Sequence, residues 1–102
     1  MICVLASLNL KEGKRDAYLT ELQKIIPDVR KEDGNIEYAP YVDLDSGFPV
    51  QPPIRPDTVT IVEKWESLDA LKNHMTAPHM GPYRQAIKDI VQSMQVQVLS
   101  LA

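Results

Sequence analysis

The segment Thr58–Met80, TVTIVEKWESLDALKNHMTAPHM, contains the pattern that decides the fold. Its first eight residues, Thr58–Trp65, are rich in β-branched side chains, which favour a strand. Ser67 then stands at a helix N-cap position, and Leu68–Met75 follows as a short helix with the acidic Asp69 in its first turn. A strand that leads directly into a helix predicts mixed α and β structure.

The residues before this segment add two strands and one helix. Apolar side chains alternate along 2–10 and again along Asn35–Val42, which predicts two further strands. Between them, residues 14–31 repeat apolar positions at helical spacing, and Pro27 inside that stretch predicts a kink or an early stop. Pro40 cannot donate a backbone hydrogen bond, so the second strand is expected at a sheet edge or at a bulge.

The residues after the segment complete the pattern. A second helical stripe is expected to run to about Ser93, and Met94–Leu101 alternates as a fourth strand. The loop 43–57 contains four prolines, and we expect an ordered arm or lid there. The order β-α-β-β-α-β is that of an α+β ferredoxin-like fold with an antiparallel sheet, here as one domain over 1–102. The second helical stripe, the one expected to run to about Ser93, consists of Met80, Tyr83, Ile87, Ile90 and Val91.

Composition excludes a disordered chain and argues against several kinds of partner. With 44% hydrophobic and 25% charged residues, the 102-residue chain is too apolar to be disordered. A net charge of -3 argues against nucleic acid or an anionic membrane as a partner. The single cysteine, Cys3, cannot form an internal disulfide, which fits a reducing cytoplasm. No apolar run approaches the roughly 18 residues of a membrane-spanning helix, so we expect neither export nor membrane insertion.

The predicted sheet has one face that the helices do not cover. By alternation that face carries more apolar side chains than a solvated sheet face would. We therefore expect a homodimer in which the sheet faces of two subunits pack together. The apolar members of this outer face include Cys3, Leu5, Ala39, Tyr41, Val62 and Leu99.

Four residues stand out as candidates for chemistry. Glu63 falls on the helix-covered face, where it is either a pocket carboxylate with a raised pKa or a strand-end residue paired with a helix N-terminus or a lysine. His74 and His79 flank the joint between two helical segments and are either proton acceptors or packing residues. Two histidines without a fitted carboxylate match no strong ligand spacing, so no metal site is predicted. Trp65 is either core or stacking platform. We expect all four in one pocket.

Residues 62–75, VEKWESLDALKNHM, together with the APHM run at 77–80 resemble the antibiotic biosynthesis monooxygenase family of dimeric α/β barrels. The family pattern is a glutamate, one residue, a tryptophan, a short helix ending near a histidine, then a small residue, proline and histidine. The run EDGNIEY at 32–38 is similar to the acidic-x-Gly run that leads into the family's second strand. The loop 43–57 is longer than is usual in the family. The matching residues are Glu63, Trp65, His74, Pro78 and His79.

The resemblance implies an oxygen-dependent reaction without a metal, flavin or other cofactor. The implied substrates are quinols, anthrone-like compounds or other small electron-rich aromatics, with O2 as the second substrate. It implies His74, His79 and Glu63 as catalytic residues. Haem is not expected, since the positions used by the haem-degrading branch are Ala6 or Ser7 and Tyr83 or Arg84 here. The implied substrate-binding residues are Trp65, Met75, Met80, Tyr83 and Arg84.

Two other functions remain open at this stage. A cofactor-free isomerase or decarboxylase-like enzyme on the same barrel would turn over its substrate without oxygen. A non-catalytic module that binds a small molecule or a protein would show binding but no turnover, because a fold does not determine a function.

Overall fold

The computed structural model describes residues 1–102 and contains four strands and three helices. The order β-α-β-β-α-α-β agrees with the predicted ferredoxin-like pattern, with the second helical region divided in two. None of the helices has the length and apolar character needed to cross a bilayer. The elements are β1 Ile2–Leu10, α1 Arg15–Arg30, β2 Asn35–Tyr41, β3 Thr58–Trp65, α2 Leu68–Met75, α3 Met80–Ile87 and β4 Val91–Ser100.

The sheet has the strand order β2-β3-β1-β4, and all neighbouring strands are antiparallel. The two central strands, β1 and β3, place Val4 opposite Glu63, and on the other side Val4 lies opposite Val98 of β4. Side chains of one strand alternate between faces, so these three share the face on which the helices pack. That face carries the core.

The helix α1 extends past Pro27, so of the two outcomes expected there, a kink or an early stop, the early stop is wrong. The helix ends at Arg30, one residue before the predicted boundary. Pro27 and Gln23, whose carbonyl would have accepted the missing hydrogen bond, are both exposed, and water can replace that bond. The opposite side of the helix is buried and remains continuous through Val29.

The second helical region ends earlier than predicted. The helix α3 stops at Ile87, and β4 begins at Val91 rather than at Met94. The carbonyl of Ile90 accepts a hydrogen bond from the amide of Lys11 at 2.9 Å, and Val91 pairs with Leu10. Both residues still pack against the core, Ile90 from the turn before β4 and Val91 from the strand itself. A short apolar run fits either periodicity.

The strand β2 lies at a sheet edge, as Pro40 predicts, and it contains a bulge four residues before that proline, at Ile36. The register shifts between Asn35 and Glu37, so Ile36 does not share the buried face of Tyr38 and is 51% exposed. Regular alternation along Asn35–Val42 would also place Val42 on that face, but Val42 lies beyond the end of the strand and is exposed. The bulge thus moves Ile36 to the surface.

The predicted loop 43–57, together with Val42, contains no helix or strand and is called the arm below. Hydrogen bonds connect its residues to one another. The guanidinium of Arg55 donates two hydrogen bonds of 2.9 Å to Asp43, whose carboxylate also accepts from the amide of Arg55 at 2.9 Å. Gln51 donates to the carbonyl of Leu44 at 2.8 Å. Apolar side chains of the arm, including Leu44 and Phe48, face solvent.

Candidate active site

A cavity of about 350 Å³ lies between the sheet and the helices α2 and α3. Its volume falls within the roughly 300 to 1,000 Å³ of small-molecule pockets. Most of the lining is apolar, and the polar members gather on β3 and the two helices. A flat apolar molecule can bury its ring surface here. Its apolar walls include Val4, Ala6, Ile61, Met80, Val96 and Val98.

The β4 side of this cavity is open. Met94, Val96 and Val98 share a face with the buried core of β1, yet they are 57%, 51% and 46% exposed. The helix α1 packs against β2 and α2 against β3, and the exposure of these three side chains shows that β4 is left uncovered. A ligand can therefore enter along β4 and reach the polar groups at the far end of the cavity.

The imidazole of His74 is one of those polar groups, and its ring is 3% exposed. His74 lies in the last turn of α2, and its Nδ1 is 2.9 and 3.1 Å from the two carboxylate oxygens of Glu32, just after α1. A carboxylate accepts from Nδ1–H, which leaves a lone pair on Nε2 of the neutral ring. Glu32 therefore selects the tautomer of His74.

The Nε2 of His74 has no hydrogen-bond partner in the protein. No buried side-chain nitrogen or oxygen in the chain is unpaired, and His74 lines the cavity. The Nε2 atom therefore reaches accessible space, and the cavity is the space beside it. A lone pair in this position can accept a proton from a bound molecule.

His79 is at the N-cap of α3 and contacts the same carboxylate from outside the cavity. Its Nε2 is 2.8 Å from Oε2 of Glu32, and its side chain is 20% exposed. It is not among the cavity-lining residues. The structure thus joins both histidines through Glu32 but brings only His74 to the cavity. One donor atom from each of the three lies within 4.8 Å of the others, a spacing that can accommodate a metal ion.

The aromatic surroundings of His74 position its ring. Trp65 is fully buried, and its ring centroid lies 4.8 Å from that of His74, with Tyr38 at 5.7 Å on another side. Trp65 is a core residue behind the histidine and does not line the cavity. Its contribution to the site is therefore packing and one hydrogen bond, described next.

Glu63 is 7% exposed and lines the cavity near His74. Its Oε1 accepts a hydrogen bond of 3.0 Å from the indole N–H of Trp65. Burial raises the pKa of the Glu63 carboxyl, although the Trp65 hydrogen bond and the positive charge that His74 carries when protonated act in the opposite direction. The cavity thus places a carboxyl group whose pKa is raised by burial near an imidazole with a free lone pair.

Two tyrosines join α1 to α3 behind the cavity. Their hydroxyl oxygens are 2.6 Å apart, and only Tyr83 lines the cavity, with Tyr18 completely buried. Burial is the main cause that raises the pKa of both phenols, so both are neutral at ordinary pH. Tyr83 can therefore offer a neutral hydroxyl to a ligand.

The remaining predicted contacts lie where α2 meets α3. Met75, half exposed, and Met80, buried, both line the cavity. The guanidinium of Arg84 also lines it and donates a hydrogen bond of 2.6 Å to the carbonyl of Met75, which joins the two helices. Lys72, which the sequence analysis did not select, is a second cation at this end.

Glu32 is the polar residue that sequence reasoning missed as part of the site. Its run, EDG at 32–34, was visible, but a carboxylate just after a helix is common and carries no periodic signal. Only the fold brings it to His74, which is 42 residues away in the chain.

Comparison with known proteins identifies relatives along nearly the whole chain. The antibiotic biosynthesis monooxygenase family profile matches residues 1–86. Over 101 residues the chain is 38% identical to the Escherichia coli (strain K12) protein named "Probable quinol monooxygenase YgiN", and the match covers 97% of this chain and 96% of that protein.

Solved structures show the same fold. The crystal structure of SO0527 from Shewanella oneidensis is 32% identical, with a TM-score of 0.79 over 96% of this chain and 87% of that one. Rv0793 from Mycobacterium tuberculosis, at 24% identity, superimposes with a TM-score of 0.80 over 99% of this chain and 94% of that one. Since the family profile spans most of the chain and a relative of similar length is 38% identical, this chain belongs to the antibiotic biosynthesis monooxygenase family.

Proposed function

We propose that this protein is a cofactor-independent monooxygenase that oxidises a quinol, an anthrone-like compound or another electron-rich aromatic with O2. Family membership supports monooxygenase activity in general. The observation that carries the finer proposal is the lone pair on Nε2 of His74, which faces an apolar cavity while Nδ1–H is bonded to Glu32. The name of the Escherichia coli relative favours quinols among these substrates.

The reaction begins with a proton transfer. His74 Nε2 accepts a phenolic or benzylic proton, and the carboxylate of Glu32 stabilises the imidazolium that forms. The resulting anion donates an electron to O2 far more readily than the neutral substrate. One oxygen atom then enters the product and the other leaves as water, and the substrate supplies all four electrons, so no external reductant is needed.

The other polar groups orient the substrate. Glu63 in its protonated form and Tyr83 as a neutral phenol can donate hydrogen bonds to substrate oxygens. Met80 contacts the ring face. His79 acts through Glu32, as a positioning residue whose hydrogen bond fixes that carboxylate. Trp65 supports Glu63 and His74 from behind.

Oxygen uptake and product analysis test this function. We expect the purified chain, without added metal or flavin, to consume one O2 per substrate oxidised and to transfer one 18O atom from labelled O2 to the product. His74→Gln should lower kcat by about 10²- to 10⁴-fold, the usual contribution of general base catalysis. Glu12→Gln, an exposed change remote from the cavity, serves as the control.

Two outcomes would contradict the proposal. Unchanged kcat in His74→Gln would remove the base, and turnover under strict anaerobiosis would favour a cofactor-free isomerase instead. The anaerobic measurement tests for an isomerase because Glu63 in its protonated form and the free lone pair of His74 can together move a proton between two carbons of a substrate.

We also propose that the protein acts as a cytoplasmic homodimer through its outer sheet face. Leu5, Tyr41 and Leu99 on that face are 37%, 52% and 38% exposed in the single chain. Packing two such faces together would remove this apolar surface from water, which favours association. The single cysteine fits a reducing compartment.

A further inference from the structure

The cluster of Glu32, His74 and His79 combines three side chains that can bind a metal ion, and the proposed reaction uses none of them in that way. Two imidazoles and one carboxylate are a ligand set suited to borderline metal ions such as Zn2+, whereas Mg2+ prefers oxygen ligands. The three side chains lie in the turn just after α1, in the last turn of α2 and at the N-cap of α3, so three separate segments of backbone position them. Such convergence is the usual construction of a metal site.

The distances are close to those that an ion needs. One donor atom from each residue lies within 4.8 Å of the other two, and the hydrogen-bonded pairs are 2.8 and 2.9 Å apart. Ligand atoms around a tetrahedral Zn2+ are roughly 3.4 Å apart, given bonds of about 2.0 to 2.1 Å. Small side-chain rotations therefore convert the hydrogen-bonded arrangement into a coordinating one. The exposed fractions of Glu32 and His79, 13% and 20%, allow an ion to enter without passing through the cavity.

We propose that Glu32, His74 and His79 form a binding site for a divalent transition metal such as Zn2+, and that the bound ion inhibits the enzyme. The inhibitory half rests on the proposed function, and the binding half does not. Coordination would use the Nδ1 lone pair of His74, but the hydrogen bond to Glu32 requires a proton on that atom. The proton must therefore move to Nε2 of His74, and the proton on Nε2 of His79, which bonds the same carboxylate, must likewise move to Nδ1 of that ring, both by exchange with water.

The change of tautomer at His74 removes the base. With a proton on Nε2, the cavity-facing nitrogen of His74 donates rather than accepts, so it cannot take a proton from the substrate. No proton is lost overall and no redox step occurs. The ion would act as a reversible switch on the side of His74 away from the substrate.

Calorimetric titration of the untagged, EDTA-treated chain with ZnCl2 tests the binding half. We expect one Zn2+ per chain, with affinity at least tenfold weaker in Glu32→Gln and in His79→Ala. Glu12→Gln provides the matched control for a lost carboxylate and should bind as the unmodified chain does. Absence of binding to the unmodified chain, or equal affinity in all variants, would overturn the site.

Nitrogen-15 NMR of the imidazoles tests the tautomer change directly. We expect the spectrum of His74 to show Nδ1 protonated without metal and Nε2 protonated with Zn2+. Binding without this exchange would contradict the proposed mechanism of inhibition, whatever the activity of the enzyme.

Turnover measurements test the inhibitory half. Zn2+ should abolish most oxygen uptake, EDTA should restore it, and His79→Ala should need at least tenfold more Zn2+ for half inhibition of its own metal-free rate. Zinc bound at these residues with unchanged turnover would overturn inhibition. If the metal-free chain oxidises no aromatic substrate, the proposed function fails, while calorimetry and NMR still decide the metal site.

Discussion

Glu63 is a carboxyl group in an almost entirely apolar cavity, with a single hydrogen bond, from Trp65. Burial raises its pKa because a charge is poorly solvated there. A group whose pKa is higher in the folded state than in the unfolded chain stabilises the fold below its unfolded pKa. That contribution is lost as the pH rises through the folded pKa, because the ionised form then remains buried.

Glu63→Gln should therefore stabilise the protein increasingly as the pH rises. The amide oxygen can still accept the Trp65 hydrogen bond, and no charge is buried. We expect little change in the free energy of unfolding near pH 4 and a growing gain toward about pH 8, measured by urea denaturation. The same substitution at exposed Glu12 controls for the loss of one charge, and an equal gain at every pH in Glu63→Gln would contradict the assignment.

Glu63 and Glu32 differ in how far the sequence reveals them. Glu63 falls among the apolar residues on one side of β3. Because side chains of a strand alternate between two faces, this position can be recognised in the sequence. Glu32 stands in a polar turn where an acidic residue is ordinary. Its contact with His74 depends on how three helix ends meet, which no local pattern encodes.

Gly34, between α1 and β2, is the turn residue with the least tolerance for a side chain. Its φ is +83°, and a Cβ there would lie 2.6 Å from the Cβ of Ala70 in α2. The carbonyl of Gly34 also accepts a 2.8 Å hydrogen bond from the amide of Glu66. The turn that carries Glu32 is thus packed directly against the start of α2.

Gly34→Ala should destabilise the fold by about 2 to 5 kcal/mol, from a left-handed backbone and the overlap with Ala70 together. Gly13 has a similar φ of +73° but nothing within 4 Å of its added Cβ. Gly13→Ala therefore measures the backbone cost alone, about 1 to 2 kcal/mol. Equal losses of stability in the two variants by denaturant titration would show that the overlap is relieved at no cost.

The arm, residues 42–57, depends on the ion pair between Asp43 and Arg55. Hydrogen bonds from Arg55 lower the pKa of Asp43 from its usual 3.8 to about 2, so the pair persists until the pH falls toward that value. Arg55→Ala should speed proteolysis within 44–54 several-fold while changing the global stability by at most about 1 kcal/mol. Arg15→Ala, at the start of α1 and outside the arm, is the control; unchanged cleavage in Arg55→Ala would show that the pair does not order the arm.

Most elements could be predicted because their apolar periods are long and clear. The beginning of β4 could not, since Ile90 and Val91 fit the end of a helical stripe as well as a strand. The decisive fact is tertiary, a hydrogen bond from Lys11 to the carbonyl of Ile90. The extension of α1 beyond Pro27 could not be predicted either, because it depends on Pro27 facing solvent in the folded chain.

At the scale of the molecule, the outer sheet face leads to the dimer prediction. Sedimentation at micromolar concentration should give twice the chain mass of 11.5 kDa. Leu99→Asp would bury an unpaired charge in the interface and should weaken the dimer by a few kcal/mol, roughly 10²-fold in Kd. Leu68→Asp, on the exposed side of α2, is the matched control. A chain that sediments as a monomer at all concentrations would contradict the prediction.

The sequence pattern also predicted the sheet topology and the outer face, because both follow from element order and alternation. It did not predict that β4 would lack a helix above it. That feature depends on how far three helices reach across four strands, which is a matter of their packing rather than of any residue in β4.

The two edges of the sheet are unequal. Pro40 interrupts the row of backbone donors on β2, whereas β4 presents ten residues without a proline. Strand addition from another chain is therefore disfavoured at one edge and open at the other. Two copies can pair through β4 about a two-fold axis, and a third copy then finds no free edge on that sheet, so the sheet itself stops growing after one pairing.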